Sequence, residues 1–310
     1  MRDFSAARRA IDDAAAARVF PCAVVEVGDL AGPLWRCARG RLSFDPLAPA
    51  VSETAVFDLA SLTKVLATSV LAMRLVDAGA LDLDRPVADV LPSWARPERK
   101  RVRILDLLAH SSGLPAHRPY YRSMAGRSEY ERAIAIEPLE YEPGTRSLYS
   151  DLGFIVLGFI LEQVAGAPLD IQFERLCADL EPPRAPERGE SAPIELWYRP
   201  PSAVLGRVAP TRAGAAGLGV VHDENAAALG GVAGHAGLFG SAAAAGALAR
   251  SVMRSVAGAA QGVLPARRDT ARRFVTKAGV PGSSRALGWD TMRPTSSCGS
   301  RMSARAFGHT

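Results

Sequence analysis

Apolar residues recur at Phe4, Ala7, Ile11, Ala14, Ala15 and Val19, a spacing that predicts an amphipathic helix stopped by Pro21. Two short β-branched or aromatic runs follow, Cys22-Ala23-Val24-Val25-Glu26-Val27 and Leu34-Trp35-Arg36-Cys37-Ala38. Gly28 and Gly32-Pro33 separate them, which is the pattern of an antiparallel hairpin. A third extended run, Ala55 to Leu59, ends just before Ser61. From there Val65, Leu66, Val70, Leu71, Leu75 and Val76 predict a long helix closed by Gly79. Beyond Gly79 the pattern turns to helices and irregular turns: Arg103 to Ala109 and Leu152 to Ala165 read as helices, and Glu181 to Pro201 is rich in proline and charge. Gly230 to Gly237 precedes an alanine-rich helix over Ser241 to Val256, with Ser241 as its cap. A last run at Phe307-Gly308 reads as the entry to a strand. The expected fold class is α/β (α+β). An antiparallel sheet built from the two chain ends and flanked by helices would occupy residues 1–78 and 238–310, with an inserted, mainly helical lobe over 79–237.

Composition narrows the class. The chain has 310 residues, 48% hydrophobic and 22% charged, which is globular and excludes disorder as the default state. Its formal charge of +5 is an arginine excess spread along the chain, without a basic run interleaved with aromatics, so no nucleic-acid partner is expected. Cys22, Cys37, Cys177 and Cys298 lack metal-ligand spacing and read as buried free thiols, with a contact between Cys22 and Cys37 across the hairpin as the alternative. Met1 to Arg18 has no apolar stretch of the kind a secretory signal needs, so the expected location is cytoplasmic, or periplasmic if the natural start lies elsewhere. The most apolar segment, Leu152 to Leu161, is about half the length that spans a bilayer and reads as a core helix, not a membrane anchor.

The chemistry is concentrated at Ser61-Leu62-Thr63-Lys64. Residues three apart share a helix face, so the lysine amine can reach the serine hydroxyl and accept its proton if burial keeps the amine neutral. Only Lys64, Lys100 and Lys277 are lysines, and arginine cannot substitute because it stays protonated. The bland alternative makes Ser61 a helix cap and Lys64 a solvated side chain. The apolar neighbours Leu62, Val65 and Leu66 argue against full exposure of Lys64. A second cluster, Glu142 to Asp151, delivers Tyr149 and Asp151 to the start of the apolar helix, where Ser150 or Asp151 serves as a cap. A tyrosine held beside Lys64 can relay the serine proton to a leaving group, because a nearby cation favours phenolate. His222-Asp223-Glu224 lacks the spacing of a metal site, Gly230 to Gly237 lacks the lysine and hydroxyl ending of a phosphate loop, and no Gly-x-Ser-x-Gly elbow is present. His110 is expected to fix the turn at Ser112-Gly113.

Three ordered motifs carry a resemblance. Phe57 to Lys64, then Ile104-Leu105-Asp106-Leu107-Leu108-Ala109-His110-Ser111-Ser112-Gly113-Leu114-Pro115, then Glu142-Pro143-Gly144 leading into Tyr149-Ser150-Asp151, resemble the serine β-lactamase and penicillin-binding protein superfamily. Within it the chain is similar to the class C-related branch, which includes esterases and D-alanyl-D-alanine carboxypeptidases. Val221 to Asn225 and Gly230 to Phe239 resemble its penicillin-binding protein 4B-like subset. The resemblance implies Ser61 as nucleophile, Lys64 as its base and Tyr149 as a second acid/base group. An acyl-serine would form on an ester, a D-alanyl peptide or a β-lactam-like carbonyl, with no cofactor and with a small molecule or peptide as substrate. Asp151 stands where many relatives carry asparagine. It can accept from Lys64 but cannot donate an amide hydrogen bond, and its charge favours a protonated Lys64, which weighs against β-lactam turnover. His309 and Thr310 are the expected counterpart of the family's third motif, with His235-Ala236-Gly237 as the alternative. The glycine that would follow Thr310 is missing, and with it a strand that supplies the second oxyanion donor in relatives. Such a loss costs about 10² to 10³ in rate, so an impaired enzyme is the expectation for a truncated chain. The rival expectation is a non-catalytic member that binds peptidoglycan-like or peptide ligands.

Overall fold

The computed structural model describes residues 2–180, 194–211, 217–259, 265–293 and 301–309. Its first helix, α1 (Ser5–Ala16), is followed by a hairpin of β1 (Cys22–Gly28) and β2 (Pro33–Gly40). The hairpin register sets Val25 opposite Cys37 and Cys22 opposite Gly40, so the two thiols lie three residues out of step and both are free. Cys177 is also free, and Cys298 lies outside the described residues. After the short strand β3 (Phe57–Asp58) the chain passes Ser61 and enters a helix that opens with a π turn, Lys64–Thr68, before settling into α2 (Ser69–Asp77).

Irregular turns and the short helix α3 (Ile104–Leu108) lead to α4 (Gly126–Ile136), α5 (Asp151–Ala165) and α6 (Leu169–Asp179). The expected core helix is α5, with Leu152 to Leu161 all buried. Among the described residues no single helix is long and apolar enough to cross a membrane. Then come β4 (Leu196–Trp197), α7 (Glu224–Ala228), β5 (Phe239–Gly240), α8 (Ala242–Ala257), α9 (Arg268–Val275), β6 (Asp290–Thr291) and β7 (Phe307–Gly308). Ser241 caps α8 as expected, accepting from the Ala244 N–H.

One part of the expected sheet differs. Among the described residues the two chain ends form separate antiparallel ladders, β1–β2 and β6–β7, and a third sheet runs in the order β3-β5-β4. Among the described residues the β6–β7 ladder holds two residue pairs, Asp290 with Gly308 and Thr291 with Phe307. The hairpin is instead fastened to α8 through Glu26, nearly buried on β1, which binds Arg36 at 2.7 Å and Arg250 of α8 at 2.5 Å. One core cluster joins Val70 and Met73 of α2, Leu107 of α3, Phe154 and Leu157 of α5, and Leu248 of α8. The helix that follows Ser61 and the start of α5 therefore meet in one buried interior.

Candidate active site

The bend that presents Ser61 is held from outside the helix. Asp58 accepts the Ala60 N–H at 2.8 Å and the His222 N–H at 2.7 Å. Burial raises the Asp58 carboxyl above its ordinary value, and those two amides offset part of the rise. Ala60 sits at φ +45°, a left-handed conformation uncommon outside glycine, and the bracing at Asp58 maintains it. Thr63 Oγ1 donates to the Ala60 carbonyl at 2.6 Å and accepts the Leu238 N–H at 3.1 Å. Ser61 is thereby set just ahead of the helical turn, Leu62 and Thr63, that leads into the π turn. Its hydroxyl meets Lys64 and is not used as a cap.

Lys64 is wholly buried, the opposite of a solvated side chain. Its Nζ lies 2.9 Å from Ser61 Oγ, 3.0 Å from the His235 carbonyl and 2.7 Å from Asp151 Oδ1. An ammonium donates to all three. A neutral amine has two N–H bonds and one lone pair, and a carbonyl and a carboxylate can only accept. Those two partners therefore take the N–H bonds, and the lone pair faces the hydroxyl, the one partner with a proton to give.

The Tyr149-Asp151 turn is clamped by the 110–116 loop. Ser150 N donates to His110 Nδ1 at 3.0 Å, Leu148 N to the His110 carbonyl at 2.8 Å, and Asp151 N to the Ala116 carbonyl at 2.8 Å. Ser150 Oγ caps α5 by accepting the Gly153 N–H and donates to the Pro115 carbonyl. The clamp places the Tyr149 ring centroid 4.8 Å from Lys64 Nζ. Its hydroxyl is 3.2 Å from His309 Nε2, brought there because Phe307 and Gly308 pair with Thr291 and Asp290. Ser61, Lys64, Tyr149, Asp151 and His309 thus converge, whereas Thr310 lies outside the described residues.

His110 departs from expectation. Its ring does not serve Ser112-Gly113; it accepts from Ser150 and packs on Tyr149 and Phe154 at centroid distances of 4.6 and 4.9 Å. Burial first, then the charges of Arg285, Lys64 and His309, hold the imidazole well below its usual pKa, so it is neutral. Accepting at Nδ1 places its proton on Nε2. Two neighbours carried no local signal, and a third, His235, was marked only as the alternative to His309. Arg285 lies with its guanidinium carbon 5.0 Å from the Tyr149 ring, His117 Nδ1 is 3.8 Å from Asp151 Oδ2, and His235 Nε2 is 2.8 Å from Asp223 Oδ1. Sequence position separates each from the residues it serves, except for the glycine-rich setting of His235.

A family model described as Beta-lactamase matches residues 8–310. The chain is 35% identical over 219 residues to the N-acetylmuramyl-L-alanine amidase of Bacillus subtilis (strain 168), covering 63% of this chain and 49% of that one. It is 31% identical over 284 residues to a provisionally named D-alanyl-D-alanine carboxypeptidase of Escherichia coli (strain K12), covering 82% of this chain and 64% of the relative. The chain thus spans about half to two thirds of the length of these curated relatives. Among solved structures, a class C beta-lactamase from Rhodobacter sphaeroides superposes with a TM-score of 0.66 at 22% identity, covering 92% of this chain and 75% of that one. EstCE1, a hydrolase with promiscuous acyltransferase activity, superposes with a TM-score of 0.67 at 23% identity, covering 91% and 79%. Fold and extended sequence likeness therefore agree, and the chain belongs to the Beta-lactamase family, with its beta-lactamase/transpeptidase-like fold.

Proposed function

We propose that this chain is a serine hydrolase that forms an acyl-enzyme on Ser61, with an ester or D-alanyl peptide favoured over a β-lactam as substrate. The observation that carries the reading is the buried Lys64 amine, 2.9 Å from Ser61 Oγ and backed by two groups that only accept. As Oγ attacks the substrate carbonyl carbon, its proton passes to Lys64 Nζ and the carbonyl π pair moves to oxygen. The Ser61 N–H, for which no backbone acceptor occurs among the described residues, is a donor for that oxyanion. Collapse expels the leaving group, which takes the proton by way of Lys64 and Tyr149, and His309 steadies the Tyr149 hydroxyl. Water then attacks the acyl carbon and gives up a proton to the same pair, which returns it to Ser61 Oγ as the acyl–Oγ bond breaks and the acid leaves. His309 is assigned a substrate-binding role, and Thr310 keeps the one that the family resemblance implies. Asp151 presents acceptors only, which suits a scissile ester or peptide better than a lactam whose side-chain carbonyl seeks an amide donor. The name of the E. coli relative points to a D-alanyl peptide.

One contact favours a second reading, in which the chain binds peptidoglycan-like or peptide ligands without turnover. Asp151, at 2.7 Å, stabilises the ammonium form of Lys64, which accepts no proton. Intact-mass measurement after exposure to a fluorophosphonate separates the two. Wild type should gain one adduct, Ser61→Ala none, and the variant should lose hydrolysis of an activated ester. Unchanged turnover by Ser61→Ala removes the assignment, and a wild type that binds peptide yet stays unlabelled establishes the second reading.

A further inference from the structure

Asp223 and His235 belong to two motifs, Val221 to Asn225 and Gly230 to Phe239, whose side chains the chemistry above does not use, yet the fold brings them together directly behind Lys64. Asp223 caps α7 by accepting the Ala226 N–H at 2.8 Å, and the same carboxylate oxygen holds His235 Nε2 at 2.8 Å. The His235 side chain is almost wholly buried, and its backbone carbonyl receives the Lys64 amine. That carbonyl sits in a permissive stretch. Gly234 precedes His235, and Gly237, at φ +117°, follows two residues on, so the local backbone has little intrinsic preference for one orientation. On its outer side the stretch is tied by the Leu238 amide to Thr63 and by the Gly234 carbonyl to Thr68 Oγ1 at 2.6 Å. Between those ties, the imidazole held by Asp223 is a further attachment of residue 235.

We propose that Asp223 and His235 are positioning residues for Lys64: their side-chain pair fixes the peptide at His235 so that its carbonyl takes one N–H of the amine and leaves the lone pair on Ser61. This rests on the serine-hydrolase reading above. A packing role alone would be met by an apolar side chain, whereas His235 keeps a polar ring buried with Nδ1 unpartnered, a cost that a purely structural position avoids. The pair is also electrically settled. Burial works to raise the Asp223 carboxyl, but the hydrogen bonds it accepts from His235 and from the Ala226 amide outweigh it and hold the group well below the carboxylate range. An ionised Asp223 can only accept, so Nε2 carries the proton and the ring has one orientation.

The test measures fluorophosphonate labelling of Ser61 and activated-ester kinetics in wild type, Asp223→Ala, Asp223→Asn, His235→Ala and the double alanine variant, each with its melting temperature. Misplacing a base of this kind costs on the order of 10²-fold, so Asp223→Ala and His235→Ala should label and turn over about tenfold to a hundredfold more slowly with little change in KM. Asparagine keeps both the cap and the oxygen that receives Nε2, so Asp223→Asn should recover most of the rate. The double variant should be no slower than the slower single, because the two side chains act as one unit. Alanine variants that melt lower but label at the wild-type rate per folded molecule overturn the proposal, and so does a rise in KM with kcat intact. A wild type that never labels removes the hydrolase reading and this inference with it, whereas a labelled wild type with unaffected variants removes this inference alone.

Discussion

His110 shows how a single side chain can be visible in the sequence and yet be assigned the wrong partner. Its motif marked it, but the nearest glycine turn attracted the assignment, while the true partner is the Ser150 amide forty residues on. Ser61 with Lys64 and Tyr149 with Asp151 were legible because each pair is local in the chain. Arg285 and His117 were not, because nothing near them in sequence reports the ring and carboxylate they approach. The His110 environment also has a measurable consequence for stability. An unfolded histidine titrates near pH 6.5, and this one is held well below that value when folded. Between the two values the unfolded chain binds the extra proton, so folding stability falls as pH drops below about 6.5, by at most about 1.4 kcal/mol per unit; above that range the group is neutral in both states and adds no slope. Asparagine tolerates the φ of +55° at this position and can accept the Ser150 N–H without titrating. Urea unfolding at pH 7.5 and pH 5 should therefore show a smaller acid loss for His110→Asn than for wild type, and equal losses would refute the assignment.

At the scale of elements, the periodicity from Val65 to Val76 predicted one helix and the fold delivers one, but its first turn is a π turn that closes from the Ser69 N–H to the Lys64 carbonyl. Such widened turns are frequent at functional sites. Here it sets Lys64 and Thr68 against the consecutive carbonyls of His235 and Gly234. Apolar spacing cannot disclose this, because Val65, Leu66 and Ala67 are buried with or without the extra residue in the turn. The opposing strip is fixed by size. A Cβ on Gly234 would collide with the Phe154 carbonyl oxygen and stand 2.9 Å from the Gly158 amide nitrogen, both on the backbone of α5. Neither can move without disturbing the helix that begins at Asp151, so Gly234→Ala should destabilise by at least about 1–3 kcal/mol, the ordinary range for overpacking. Chemical denaturation measures it, and a cost within noise would mean that α5 and this strip are not in register as described.

Across the whole molecule, the site draws on segments from both ends and the middle of the chain, and these are not equally secured. Ser61, Lys64 and the start of α5 stand on the principal core, whose members from α2 and α5 are almost fully buried. His309 reaches Tyr149 from the β6–β7 ladder of two residue pairs, where Phe307 is only partly buried and leans edge-on against Trp289 at a centroid distance of 5.3 Å. The β-lactamase-like class of fold was legible from three ordered motifs, but the partition of the strands into short separate ladders was not, since runs of two residues leave no alternation to read. Stability against local opening follows buried contacts, so the ladder should open without the core. Hydrogen exchange under native conditions should therefore release the amides that bond β6 to β7 well before those of Phe154 to Leu161 in α5. Loss of ester turnover in a urea titration should likewise precede loss of helical circular dichroism, because Tyr149 parts from His309 while Lys64 and Ser61 are still held. Coincident exchange and coincident midpoints would instead show that the ladder is bound to the core as one cooperative unit.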